Sequence, residues 1–454
     1  MSSVTEMIAA RLDALPSSRA LYGLVGRISA GAWFEGYDLF MLAYISLGMI
    51  RSGVYTATGS GFGSIPAFAA AGFLGMFAGA LLFGSISDRF GRRSAFLWSL
   101  VWYSVATVTM SIAGGPFAID GFRFLAGLGI GVQLVTVDAY ISEIVPPSVR
   151  GRAIALSQTI TFTAVPAAAF IAQALVPHAY FGFDGWRLVA LAGGLGAVFV
   201  APWFRSLPES PRWLAARGRH VQAVGALLRI ETIVGAGSDA ASIELAESSP
   251  IARASWTEMW DERYRARSAM LVIFNFFQTI GFYGFASWVP ILVFAEGVSF
   301  VHSLLYTALI ALAAPLGPAL AAFVGERWER KWQIVGLAAA SAFLGLALAV
   351  TRAPAGIICA GIGVTLANNW FSSAFHAYQA ELYPTRIRAR AVGFVYSWSR
   401  LSAVFVGFWI ADILARYGPG GAFAFIAAGM AIAAGVIAAA GPLSRGRRLE
   451  SLAP

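Results

Sequence analysis

Glu35 and Asp38 stand three residues apart in WFEGYDLF, inside an apolar run long enough to cross a bilayer. On a helix that spacing places both carboxylates on one face, about a turn apart. Ionisable groups at membrane depth are costly and mark proton or substrate pathways, so this pair is a candidate for taking up and releasing protons. Arg123 opens the fourth apolar run. Arg400 lies about ten residues, or roughly 15 Å, inside the eleventh, near the bilayer midplane. An unpaired arginine at that depth is tolerable mainly where an anion or an acidic side chain meets it, and a bound carboxylate suits its forked guanidinium. The competing reading is a permanent ion pair between Arg400 and Glu35 or Asp38. The sequence also leaves open whether Arg123 rather than Arg400 is the anion ligand.

Other polar residues at the same depth are Gln133, Gln158, Asn275, Gln278, Asn368, Asn369, His376 and Gln379, each able to join helices or to touch a ligand. Phe34, Tyr37, Phe277, Tyr283, Trp288, Trp370, Phe371, Tyr396 and Trp398 supply ring faces, and Tyr37, Trp370 and Tyr396 are the ones selected to stack on a planar substrate. The candidate substrate contacts are therefore Arg400, Tyr37, Gln158, Gln278, Asn369, Trp370, His376 and Tyr396. This chemistry is binding and proton exchange. Catalysis is not indicated, because the four histidines, His178, His220, His302 and His376, have no metal-ligand spacing and no nucleophile beside a base.

The elements that must carry these residues are set by hydropathy. Of 454 residues, 58% are hydrophobic and 12% charged, and the mean hydropathy is +0.71, outside the range of a soluble chain of this length. Apolar runs of about 20 residues or more fall at 22–50, 62–86, 95–113, 118–141, 153–176 and 187–206, and again at 267–295, 303–325, 333–351, 354–379, 391–415 and 420–441. Lipid offers no water to an open backbone, so these runs are helices. The fold class is an all-α membrane protein with twelve transmembrane helices in two six-helix halves. The halves are 1–207 and 267–454, and 208–266 is a polar linker. Trp213, Leu214, Val221, Val224, Leu227 and Leu228 predict short amphipathic helices lying against the membrane face, and 235–249 reads as a flexible tether. Cys359 is single and excludes an intramolecular disulfide. The first 20 residues are polar and lack a cleavable signal, so the first apolar run is kept as a span.

An internal duplication supports the two halves. YISEIVPPSVRGRA, from Tyr140, recurs as YQAELYPTRIRARA, from Tyr378, with Tyr, Glu, Pro, Arg, Arg and Ala at the same spacing 238 positions apart. The same offset carries Asp88 and Arg92 onto Glu326 and Arg330. The net charge of +9 comes from arginines in alternate connections, which points to topology and not to nucleic acid; the positive-inside bias places both termini and the linker in the cytoplasm. Lys331 is the single lysine, and the arginine excess points to a GC-rich bacterial genome and hence to the inner membrane.

GSISDRFGRRSAF after the second span resembles the signature of the major facilitator superfamily. PESPRWL after the sixth span, RFLAGLGIGV and the repeated Tyr/Glu/Pro/Arg stretch resemble its sugar-porter and metabolite:proton symporter branches. The resemblance implies that Asp88, Arg92, Glu143 and Arg150, with Glu326, Arg330, Glu381 and Arg388, form ionic contacts between the halves that close a cytoplasmic gate. It implies that Asp38, in a GYD triplet like that of proton-coupled sugar porters, faces Arg123, a pair whose separation would raise the carboxylate's proton affinity. EGYD is similar to the DGYD of aromatic acid:proton symporters, and YSWSRLSAV resembles organic-ion carriers whose arginine at the position of Arg400 contacts anionic substrates. Gln158 matches a sugar-porter glutamine that hydrogen-bonds substrate. The sugar-porter runs QQxSG, PxPW and PETKG are absent, the corresponding stretches reading NFFQTIGFYG, NNWFSSAFHAYQAE and GPLSRGRRL.

The expected protein is a monomeric, proton-coupled carrier of a small organic acid, aromatic or similar, in the lipid bilayer, with Asp38, Glu35 and Arg123 coupling protons and no cofactor besides the coupling ion. The alternatives are a proton-coupled sugar porter or a proton-driven exporter. A substrate sensor would call for a soluble output domain.

Overall fold

The computed structural model describes residues 2–236, 257–325, 327–383 and 385–444. An N-terminal helix, α1 (Ser2–Asp13), precedes α2 (Arg19–Arg51), α3 (Ile65–Phe90), α4 (Arg92–Ile112) and α5 (Pro116–Ile144). The fifth span is broken at Thr163 into α6 (Arg150–Phe162) and α7 (Ala164–Leu175). A two-residue-per-strand hairpin, β1 (Ala179–Tyr180) and β2 (Phe183–Asp184), leads to the sixth, α8 (Gly185–Gly194) with α9 (Gly196–Arg205). The linker holds α10 (Pro211–Ala216), α11 (His220–Val234) and a 3-10 turn at Thr257–Trp260. The second half comprises α12 (Arg265–Ala295), α13 (Phe300–Ala311) with α14 (Leu316–Val324), α15 (Arg330–Val350), α16 (Pro354–Glu381) and α17 (Thr385–Ala440). Gly418, at φ 71° and ψ −175°, and Pro419 break α17 into two arms, since neither conformation nor residue can continue a helix.

Eight of the described stretches are long and apolar enough by themselves to cross a bilayer. The twelve spans are completed by α2, whose charges depress its hydropathy, by the shorter apolar cores of α3 and of α8 with α9, and by the second arm of α17. Span ends follow local signals. Ser18 and Ser64 cap α2 and α3 through their side chains, and Pro116 and Pro354 begin α5 and α16 where their missing N–H is not needed.

The duplication is visible as paired geometry. Arg92 meets Glu143 at 2.8 Å, and at the equivalent positions Arg330 meets Glu381. Tyr140 donates its hydroxyl to the Pro208 carbonyl, as Tyr378 does to that of Pro442. These contacts define one face of the molecule, the basic face. They lie inside each half, whereas the sequence led to the expectation of contacts between the halves. Glu326 lies outside the described residues, as do the side chains of Asp88 and Arg388. Arg150 donates to the Val145 carbonyl at 3.5 Å.

The halves share one apolar core at the opposite face, joining Met41 to Met49 and Trp186 of the first half with Phe285, Trp288, Leu292 and Phe423 of the second. Towards the basic face the core divides in two, one part around Phe96, Tyr140 and Trp213 that reaches Phe282, Tyr283 and Ala403 of the second half, and one around Phe274, Tyr378 and Ile437. The apolar seal between the halves thus lies on the far side, while toward the basic face they meet along α6 with α14. The linker helices dock on protein instead of standing free against the membrane: Arg11 pairs with Glu231 at 2.6 Å, Arg212 with Asp13 at 2.5 Å, and Trp213, Leu214 and Leu227 are buried. Val221 and Leu228 remain exposed. The proposed tether at 235–249 lies outside the described residues after Ala236.

Small residues let α3 and α5 touch along their backbones. A Cβ on Gly75 or Gly79 would press on the carbonyls of Phe124 or Leu128, and one on Gly127 or Gly131 on those of Gly72 or Met76. Gly75→Leu is therefore expected to abolish the monodisperse folded species in detergent. Gly121→Ala, on α5 with nothing within 4 Å, should unfold at an unchanged or higher temperature, as replacing a helical glycine gains about 0.5–1 kcal/mol. Size-exclusion profiles and thermal unfolding of the two variants check this.

Candidate functional site

The α3–α5 contact has a direct consequence for charge. A Cβ on Gly72 would stand 2.8 Å from Arg123 Nε, so the glycine leaves room for the arginine to reach α2. Arg123 Nη1 meets Asp38 Oδ2 at 2.6 Å, Nη2 donates to the Asp38 carbonyl at 3.3 Å, and Thr107 Oγ1 donates to Oδ1 at 2.8 Å. Asp38 is fully buried and Arg123 nearly so. This removes Arg123 from the list of anion ligands, since its guanidinium is already engaged by a carboxylate.

One turn toward the basic face, Glu35 lines a cavity of about 160 Å³ between the halves. The first half contributes Glu35 and Phe40 from α2, Asp138 from α5, and Gln158 and Phe162 from α6. From the second half come Gln278, Phe282 and Tyr283 of α12, Phe375 and His376 of α16, and Tyr396 and Arg400 of α17. Gly36 permits this wall to close, because its Cβ would lie 3.0 Å from Thr161 Cγ2 on α6.

Arg400 donates from Nη1 to Tyr283 Oη at 2.6 Å and from Nη2 to Tyr396 Oη at 3.4 Å, with its guanidinium carbon 5.1 Å from the Tyr396 ring centre. Among the described residues it has no ion pair with a carboxylate. The competing reading, a permanent salt bridge to Glu35 or Asp38, is not met among the described residues: Asp38 is taken by Arg123. Each phenol accepts from the guanidinium and so keeps its own hydroxyl hydrogen for another acceptor. A cation and two hydroxyl donors thus converge on one wall, an arrangement that binds a carboxylate.

The remaining predicted contacts divide. His376 stacks on Phe375 at 4.2 Å and lies edge-on to Tyr396; its Nδ1 stands 2.7 Å from the Ser372 carbonyl, which can only accept, so Nδ1 carries the hydrogen and Nε2 is left as an acceptor. Gln158 Oε1 accepts from Ser373 Oγ at 2.8 Å across the two halves, leaving its amide hydrogens for a ligand. Gln278 contacts Ser399 at 3.4 Å. Tyr37 is a correction: its hydroxyl donates to the Val189 carbonyl at 3.1 Å and its ring packs on Gly193, inside the first half and away from the cavity. Trp370 is another, since it lines a surface groove with Trp328 and Trp332. Asn369 lines a separate void of about 40 Å³ beyond Phe40, Phe162 and Phe282, three rings that border both spaces and close the cavity from the far side.

Tyr283 and Asp138 are among the cavity residues that escaped selection from the sequence. Tyr283 was one aromatic among many. Asp138 carried a usable signal, a carboxylate inside the run 118–141. Asp120, in the same helix, has a different role: it accepts from Tyr55 Oη at 2.6 Å and is buried as a structural pair.

Residues 26–454 match the family described as Sugar (and other) transporter. The chain belongs to that family. It is a major facilitator transporter and not an enzyme. The putative metabolite transport protein YyaJ of Bacillus subtilis is 33% identical over 92% of this transporter and 91% of its own length. The niacin transporter NiaP of Acinetobacter baylyi is 28% identical over 98% and 99%. Among solved structures, the xylose transporter XylE of E. coli in a partially occluded inward-open form superposes with a TM-score of 0.75 at 19% identity, covering 95% of this chain and 100% of that one, a likeness of fold.

Because removing one partner strands a buried charge, Asp38→Ala should destabilise the transporter by about 3–5 kcal/mol, and Asp38→Leu combined with Arg123→Met should recover much of that loss. Denaturation of the purified single and double variants in detergent checks both.

Proposed function

We propose that this transporter carries a small aromatic monocarboxylate together with protons, by alternating access, as a monomer in a bacterial inner membrane with its basic face toward the cytoplasm. The observation that carries the reading is Arg400, held by two phenols in the central cavity and, among the described residues, without a carboxylate partner. The cavity's volume supports a ring-sized substrate, since about 150 Å³ suffices for benzene. Phe375, Phe282 and Tyr396 offer ring faces. The niacin transporter named above handles a compound of this class, which favours the same class here.

The cycle follows from the charges. With the far side open, the Asp38–Arg123 pair loosens, Asp38 and Glu35 take protons, and the anion docks on Arg400, Tyr283 and Tyr396. Rocking seals the far side behind Phe40, Phe162 and Phe282. The halves part at the basic face, Arg92 and Arg330 fall back on Glu143 and Glu381 within their own halves, and substrate and proton leave. One proton moving with a monoanion is electroneutral, and additional protons would let the membrane potential contribute.

Gln158 favours a second reading, a sugar porter, because it lines the cavity with its amide donors unused. Uptake into proteoliposomes of labelled benzoate, nicotinate, shikimate and hexoses, with and without an inward proton gradient, separates the two. Acid uptake should need the gradient and fall about 10- to 100-fold in Arg400→Ala, as expected for losing a charged hydrogen-bond donor. Asp38→Asn should exchange substrate but not accumulate it. Hexose uptake insensitive to Arg400→Ala would overturn the acid reading in favour of the sugar porter.

A further inference from the structure

The cavity has a polarity that binding an anion alone does not use. Its second-half wall presents the guanidinium of Arg400 and the hydroxyls of Tyr283 and Tyr396, all donors. The facing first-half wall presents two carboxylates, Glu35 and Asp138. Neither makes a hydrogen bond or an ion pair among the described residues. Asp138 is solvent-exposed although it sits in the interior of α5, so its side chain opens into the cavity and not into packed protein. It is close enough to Glu35 and Tyr396 to act on both electrostatically. A membrane-depth carboxylate without a partner is costly and marks function by default, and unlike Asp38 and Asp120 it secures no helix contact in return.

Charge balance narrows its use. One arginine faces two carboxylates, so docking a monoanion would leave the cavity negative unless both carboxylates are answered. A proton answers one, and Glu35, a turn from Asp38, has that role in the reading above. The other must meet a donor on the substrate. Resting on that reading, we propose that Asp138 is a specificity residue: it accepts a hydrogen bond from a hydroxyl or protonated ring nitrogen on the side of the substrate ring remote from the carboxylate held by Arg400. The preferred substrates are then hydroxylated or nitrogen-containing aromatic acids, and unsubstituted aromatic acids are poor ones. Discrimination of this kind is strong because a ligand without the donor leaves a desolvated carboxylate unsatisfied.

The test is equilibrium binding to purified full-length transporter in detergent, using benzoate, 3- and 4-hydroxybenzoate, the matching methoxybenzoates in which the donor is blocked, and nicotinate. Wild type, Asp138→Ala and Asp138→Asn are compared, together with gradient-driven uptake of the best ligand in proteoliposomes. Wild type should bind at least one hydroxybenzoate 10- to 100-fold more tightly than benzoate and its methoxy analogue. Asp138→Ala should reduce that ratio to about threefold or less, by weakening the hydroxylated ligand and by relieving the penalty that benzoate meets at an unsatisfied carboxylate. Asp138→Asn, which keeps a carbonyl acceptor, should be intermediate. Equal wild-type affinity for benzoate and both hydroxybenzoates overturns the inference without touching the carboxylate reading. Discrimination that survives in Asp138→Ala overturns it too, and if gradient-driven uptake is lost in that variant, Asp138 belongs to the proton path. Failure of every acid to bind wild type overturns the carboxylate reading and the inference with it. The wild-type comparison needs no variant, and Asp138→Ala strands no buried partner.

Discussion

A charge at membrane depth must be paired, hydrated or used, and this constraint organises the molecule. Asp38 and Arg123 meet it by pairing, with Thr107 satisfying the second carboxylate oxygen. That pair requires α3 to stand aside at Gly72, and the close contact of α3 with α5 supplies the space. Asp120 is answered by a phenol near the far face. Among the described residues Arg400 is held by phenols alone, and Glu35 and Asp138 face the cavity unpaired, so the intramembrane charges without an internal partner are the ones gathered around the cavity between the halves.

The two faces of the interface use different physics. At the far face the seal is apolar, a common core whose contacts form only when the halves meet. At the basic face the described ion pairs are internal to each half, Arg92 with Glu143 and Arg330 with Glu381. Polar groups released from a shared seam would be costly if left bare. Pairing within each half keeps them satisfied whether or not the seam is closed, and lets each half move as a body. The docking of α1, α10 and α11 on the first half through Arg11, Glu231, Arg212 and Asp13 stiffens that body further.

Much of this was legible beforehand because its causes are local. Apolar run length marked twelve helices, serine caps and prolines marked their starts, and the repeat at Tyr140 and Tyr378 marked two halves whose equivalent contacts reappear in the structure. The coupling pair and Arg400 stood out because ionisable residues in apolar runs are few. Tyr37 and Trp370 misled because an aromatic residue carries no mark of the helix face it occupies. Asp138 shares its run with Asp120 and Arg123, and nothing along the chain tells which of them is paired; the amphipathic linker segments could not reveal that their partner was α1.

By itself, then, the sequence determined which segments cross the membrane, that they form two related halves, and which few charges lie within them, since hydropathy, repeat register and charge placement depend on neighbours along the chain. The tertiary structure alone decided that Arg123 is consumed by Asp38 while Arg400 is not, that Asp138 opens into the cavity, that Tyr37 and Trp370 turn away, and which face holds the shared apolar core. Each of those depends on the rotation of a helix and on the side chains of another helix tens or hundreds of residues away, and pairing across that separation is a matter of packing geometry that no local pattern encodes.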